Sequence, residues 1–287
     1  MDASTRPIDL REHNDTATLM RSRWRGTVGL ATQFALVFAA AIAYFGVRGL
    51  TEGSQTTAVS HGRAVMGFEH SLRVDVEPAL QNLVLDHTRI VTLANWVYIW
   101  GHWPVIAITL AWLYRRHRDS YFLLRNAMFV SGAIGLVTFM TFPVAPPRLA
   151  SLGLVDTVTE LSTSYRVLQP PALINEFAAV PSLHVGWNLL VGVMIYRSAR
   201  SLAARAFALA GPILMSLAVV LTANHYLFDV AAGAVVALTG FAIVVAARHV
   251  DALSSLRFAI SRPRPVAIPL RLPSPADAHS RGMSQVA

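Results

Sequence analysis

Six stretches of the 287-residue chain contain no Asp, Glu, Lys or Arg: residues 26–47, 90–114, 126–147, 177–196, 206–228 and 230–247. Each is close to the roughly 20 mostly apolar residues that an α-helix needs to cross the hydrocarbon core of a bilayer. They take up 130 residues, so the 24 basic and 16 acidic side chains are confined to the remaining 157. A soluble domain has no reason to segregate charge in this way. The pattern predicts an all-α, polytopic membrane protein: a bundle of six transmembrane helices. It excludes a secreted soluble enzyme, a cytosolic dinucleotide-binding domain and a disordered scaffold.

The net charge of +8 raises the question of a nucleic-acid partner, and the placement of the charges answers it. Every basic residue is Arg. Helices that alternate in direction put 18 of the 24 Arg on one side, in 1–25, 115–125, 197–205 and 248–287, and 6 on the other. The positive-inside rule makes the first side cytoplasmic, with both termini there, and no nucleic acid is needed. The chain has no Cys, hence no disulfide framework and no thiolate chemistry.

Three regions follow. Residues 1–25 are a polar cytoplasmic N-terminus ahead of an uncleaved signal-anchor. Residues 26–250 hold the membrane domain, and 251–287, rich in Pro and Arg, form a disordered cytoplasmic tail. Between the first two spans, Val65, Phe68, Leu72, Val76 and Leu80 recur at spacings of three and four, interleaved with Glu69, Arg73, Asp75 and Glu77. That spacing predicts an amphipathic helix at the outer interface, lying in the headgroup region or packed on the ends of the bundle. Pro104 should kink the second span. Pro143, Pro146 and Pro147 end the third, and the loop from there to Ala179 is long enough to cover a site.

Two histidines stand at the outer ends of charge-free segments. Pro181 and Ser182 are helix-starting residues, which puts His184 in the first turn of the fourth span. Such a turn offers unpaired N–H groups and the positive end of a dipole, both suited to a phosphate. Asn224, a good N-cap, puts His225 in the first turn of the sixth span, with Asp229 four residues on along the same face. A carboxylate beside an imidazole holds a proton on one ring nitrogen and leaves the other as a nucleophile or base. Arg148 leaves the third span at the same end, and Arg grips phosphate oxygens in a bidentate fork. These residues compose a phosphoryl-transfer site with two helix N-termini. His184, His225 and Asp229 could instead ligate a metal, but an Arg beside a cation is unfavourable and no HExxH pattern is present, so no metal and no cofactor is expected. On the second span Asn95, Tyr98 and His102 form a polar stripe that faces the bundle interior, binding a head group or bonding between helices.

Pro181-Ser182-Leu183-His184, followed by His225-Tyr226-Leu227-Phe228-Asp229, resembles the second and third motifs of the type 2 phosphatidic acid phosphatase superfamily. His225-Tyr226 with Asp229, and Pro143, Pro146, Pro147 and Arg148 in place of the usual first motif, are similar to its inositol phosphorylceramide synthase branch of inositolphosphotransferases. The resemblance covers about residues 60–247. It implies a six-helix membrane enzyme whose site faces away from the cytoplasm. It further implies that His225 attacks phosphorus to form a phosphohistidine and that Asp229 orients its ring. His184 would act as acid and then base, while Arg148 and Ser182 bind phosphoryl oxygens. The chain departs from the phosphatase pattern where a Lys should stand seven residues before Arg148, here Thr141. It departs again where a Ser-Arg pair should precede His225, here Ala218 and Val219. An incomplete phosphate clamp favours the transferase branch, with a membrane lipid as donor and an alcohol rather than water as acceptor. Lipid phosphate hydrolysis by the same residues is the alternative. A transporter or other non-catalytic membrane protein is a second.

Overall fold

The computed structural model describes residues 29–46, 54–161 and 175–261, with the backbone alone given after residue 250. The N-terminal segment 1–25, the loop residues 162–174 and the tail beyond 261 lie outside the described residues. The described residues up to 246 form one compact unit, which holds the site; of the second unit, from 247, the described part is helical to Ser261. Against the expectation of a disordered tail from 251, the helix thus continues for eleven residues.

Among the described residues the chain is all-helical, with a single isolated bridge between Val144 and Ala178. Its long helices are α1 (Gly29–Gly46), α2 (Gln55–Leu72), α3 (Glu77–Leu85), α4 (Thr88–Trp100), α5 (Trp103–Arg116) and α6 (Arg118–Thr141). After a short helix α7 (Thr157–Leu161) come α8 (Leu183–Ser198), α9 (Leu202–Leu221) and α10 (Leu227–Ser261).

Four of these are long and apolar enough to cross a bilayer: α1, α6, α9, and α10 over Leu227–Val250. A fifth span exists if α4 and α5, bent by 46° at their junction, count as one. The break sits where Pro104 predicts it, at the start of α5: proline has no N–H to donate and its ring displaces the carbonyl four residues back. The expected fourth span, 177–196, is represented by a shorter helix. Only the 16 residues of α8 are helical, because the backbone at its head pairs elsewhere. Val144 N–H donates to Phe177 O (2.8 Å) and Ala179 N–H to Val144 O (3.2 Å), which holds 177–179 extended against the exit of α6.

The amphipathic segment is two helices, and its register is the reverse of a soluble one. Ala58, Gly62, Val65 and Glu69 are the buried stripe of α2, whereas Phe68 and Leu72 are exposed. In a bilayer the apolar side of a peripheral helix faces lipid, and its small and polar side faces protein. The turn after α2 closes through an exposed His70–Asp75 pair (2.8 Å) and Arg73 in the left-handed region (φ 58°).

Close backbone approach brings the site's helices together. A Cβ on Gly233 would lie 2.1 Å from Ser182 O, and one on Gly186 would lie 2.5 Å from Gly233 O, so α8 and α10 cross almost in backbone contact. The buried core beneath them joins α6 and α8, where Trp187 Nε1 donates to Ser131 Oγ (3.1 Å).

Gly233→Ala should therefore lower the thermal unfolding midpoint in detergent, by the 1–3 kcal/mol typical of an overpacked core (about 2 kcal/mol). Gly67→Ala, at a helix position where a Cβ meets nothing within 4 Å, is the control and should be neutral or mildly stabilising.

Candidate active site

The heads of α8 and α10 are locked to each other before any side chain is considered. Ser182 N–H, at the N-cap of α8, donates to Asp229 O in the first turn of α10 (3.0 Å). His225 lies just ahead of that turn, since α10 begins at Leu227 rather than at the predicted Asn224 cap. Its Nδ1 lies 2.9 Å from Ala179 O and 3.2 Å from Asp229 Oδ2. The Ala179 carbonyl can only accept, so Nδ1 carries a proton, and in the neutral ring Nε2 is the nitrogen with the lone pair.

Asp229 is wholly buried. Its Oδ2 also accepts from Tyr226 N–H (2.9 Å), the reach-back half of a capping box. The next two donors of α10 are capped from outside it. Leu227 N–H donates to Glu77 Oε1 (2.6 Å) and Phe228 N–H to Glu69 Oε1 (2.5 Å). Thus the α10 N-terminus, expected to serve an anionic ligand, has its donors taken by carboxylates of the protein. Glu69 and Glu77, which the spacing assigns to a polar outer face, are buried at 1% and 0% exposure.

His225 opens onto a small cavity of about 60 Å³, whose wall also carries His184, Arg148, Tyr98, His102 and Trp187. The ring of His184 sits 6.0 Å from that of His225, centroid to centroid, and stacks on Tyr98 at 4.7 Å and against His102 at 4.3 Å. Asn188, one turn along α8 from His184, donates to His184 O (2.9 Å) and lies 3.1 Å from His102 Nδ1. His102 is also the N-cap of α5. The break between α4 and α5 therefore opens a second helix N-terminus onto the cavity beside that of α8, in place of the one at α10.

Arg148 Nε donates to Asn224 Oδ1 (3.1 Å) and its Nη1 to Asp156 Oδ2 (3.1 Å), so the guanidinium is held from both sides. Asn224 serves as this tether instead of as a helix cap. Asp156, Asn188, Glu69, Glu77 and Trp187 carry no motif and are not found by sequence reasoning. Spacing does not pair Asp156 with Arg148, which meet only through the turn at Pro147–Leu149.

Of the predicted residues, His184, His225, Arg148, Tyr98 and His102 share the cavity, and Asp229 backs His225. Ser182 and Asn95 do not line it. The Ser182 hydroxyl is fully buried with no hydrogen-bond partner. Asn95 is spent on α7, donating to Thr157 O (2.9 Å) and accepting from Thr157 Oγ1 (3.0 Å). Among the described residues no group of three or more His, Cys, Asp or Glu is arranged to hold a metal ion.

The family model of the PAP2 superfamily matches residues 63–243, which span both histidine motifs and the helices that carry them. The chain belongs to the PAP2 superfamily. Members of the PAP2 superfamily are phosphatases or phosphotransferases, a chemistry that the His225 and His184 pair suits. Neither the curated proteins nor the solved structures give a match.

If Asp156 holds Arg148 in place, Asp156→Ala should weaken inhibition by inorganic phosphate about tenfold, the value of one charge-assisted hydrogen bond. Competition assays would measure it, with an unchanged unfolding midpoint as the check on integrity.

Proposed function

We propose that the protein is a membrane lipid phosphotransferase, similar to inositolphosphotransferases, that moves a phosphoryl-containing head group through a phosphohistidine at the extracytoplasmic face. The observation that carries the reading is the Nδ1–H of His225 held at Ala179 O and Asp229 Oδ2 on a ring that lines the cavity, which makes Nε2 of the neutral ring the nucleophilic nitrogen. In the first step the Nε2 lone pair attacks phosphorus and the P–O bond to the lipid alcohol breaks. His184 gives that oxygen its proton. In the second step His184 takes the proton of the acceptor hydroxyl, whose oxygen attacks phosphorus as the P–N bond breaks, and His225 is restored.

Arg148 and the first-turn N–H groups of α8 hold the phosphoryl oxygens, while the Ser182 hydroxyl is buried away from the cavity wall. Tyr98 and His102 contact the head group, and Asn95 acts on it only through α7. The cycle uses no metal or cofactor, so turnover is expected to survive chelation.

Two further observations favour a lipid donor and an alcohol acceptor. An apolar groove of about 290 Å³ runs between α1, α5 and α6 and shares Tyr44, Trp103 and Trp187 with the cavity at the histidines, which suits a lipid tail whose head group lies there. The positions that carry the phosphatase clamp elsewhere are closed to it: Ala218 and Val219 are buried in an apolar cluster, and the Thr141 hydroxyl is bonded to its own helix at Val137 O (2.8 Å). Residues 1–25 and 251–287 are cytoplasmic in this reading.

The reading is tested with phosphorus-labelled lipids in liposomes, with and without inositol and other alcohols. Label should appear in a new phosphoryl alcohol or lipid, and His225→Ala should abolish both turnover and the trapped phosphoenzyme. Label released only as inorganic phosphate would make the protein a hydrolase, and full activity of His225→Ala would remove the nucleophile. Asp229→Asn should lower kcat by about 100-fold while the protein still inserts.

The groove makes a separate prediction. Ala133→Phe, an exposed groove position, should raise KM for long-chain donors about tenfold and leave a short-chain donor unaffected.

A further inference from the structure

The proposed reaction uses neither Glu69 nor Glu77, yet both carboxyls are buried beside Asp229, so three acids converge on one turn of helix. Each glutamate spends one oxygen on α10, at Phe228 N–H and Leu227 N–H. The other oxygens, Glu69 Oε2 and Glu77 Oε2, are sealed from water and meet no protein donor. Two buried carboxylates left so would repel each other and carry unsatisfied charge, an arrangement costly enough that one of them takes up a proton instead. One proton between the two side chains removes both costs, because the protonated carboxyl donates to its neighbour and a single negative charge remains.

We propose that Glu69 and Glu77 share one proton and act as a positioning clamp that ties α2 and α3 to the first turn of α10, holding His225 and Asp229 in the reacting geometry. The role rests on the phosphotransfer reading above; the shared proton does not. Burial, with Glu77 and Asp229 nearby, pushes the Glu69 carboxyl up to about 8 from an ordinary 4.5. The titratable groups around it are Glu77 from α3, Asp229 from α10, and Tyr226 just ahead of α10. None of these three is a cation that would hold Glu69 ionised.

The consequence for pH has a definite sign. The folded protein keeps this proton to about pH 8, whereas the unfolded chain releases it near 4.5. The stability it contributes is therefore complete below pH 4.5 and is lost as pH rises through 8. Above that the pair carries two charges beside Asp229, and the first turn of α10 loosens. The phosphoryl oxygens are held by α8 and Arg148, so kcat should fall while KM holds.

The experiment compares wild type, Glu69→Gln and Glu69→Ala in liposomes by pH–rate profiles and by infrared spectroscopy of the carboxyl C=O band. Gln copies the protonated acid: its oxygen accepts from Phe228 N–H and its amide donates to Glu77. Wild type should lose kcat above about pH 8 at constant KM. Glu69→Gln should keep its neutral-pH kcat within about twofold and lack that alkaline limb. Glu69→Ala should lose about tenfold or more in kcat. The protonated-carboxyl band of wild type should vanish in Glu69→Gln. An unchanged alkaline limb in Glu69→Gln, no such band in wild type, or a Glu69→Ala variant of normal kcat would each overturn the clamp. A wild type with no turnover on any phosphate lipid would instead remove the proposed function, and the infrared band would still decide the shared proton.

Discussion

A helix that starts in a dry environment must find partners for its first backbone N–H groups, and no water is at hand to supply them. At α10 the donors of Tyr226, Leu227 and Phe228 each receive a carboxylate, from Asp229, Glu77 and Glu69 in turn. Much of the architecture follows from meeting that need. The α2–α3 hairpin has to lie against the bundle to deliver its two acids. Asp229, fixed by the Tyr226 N–H, is thereby at the right distance to hold the His225 ring.

Small residues make that arrangement possible. Gly62 lets α2 approach so closely that a Cβ there would sit 2.6 Å from Ala145 O and 2.7 Å from the Tyr226 hydroxyl. Gly186 and Gly233 do the same for α8 and α10. With no hydrophobic drive between helices in lipid, such close contact is the main source of cohesion. The exposed Phe68, Leu72 and Leu83 of the hairpin then face lipid, where an apolar side chain loses nothing.

The parts legible in sequence are those governed by one local rule. Absence of charge marks the apolar helices, Pro104 marks the break, and Pro181-Ser182 marks the head of α8. The paired histidines with Asp229 show themselves because their residue types and offsets are specific. What stays hidden depends on contacts between distant segments. Length and apolarity alone give four spans, or five with the bent pair, and the helix expected over 177–196 starts late because residues 177–179 are drawn off by Val144, which nothing in their own composition signals. Glu69 and Glu77 read as a polar face because alternation of apolar and acidic residues looks the same whether the acids meet water or a helix end. Asp156 and Asn224 become the two hands on Arg148 only once the chain has turned back on itself.

The capped head of α10 also gives the cavity a direction. Behind His225 the positive end of a helix is covered by acid side chains, whereas the heads of α8, packed beside it, and of α5 are not covered by side-chain caps. In the proposed reaction a phosphoryl group that enters would meet an uneven field. Its oxygens are drawn toward the α8 and α5 side, near His184, and away from the carboxylates, so its phosphorus is turned toward Nε2 of His225. On the proposed reading, the same acids that steady His225 would keep the substrate's negative oxygens off it, and orientation would come from electrostatic contrast between helix ends.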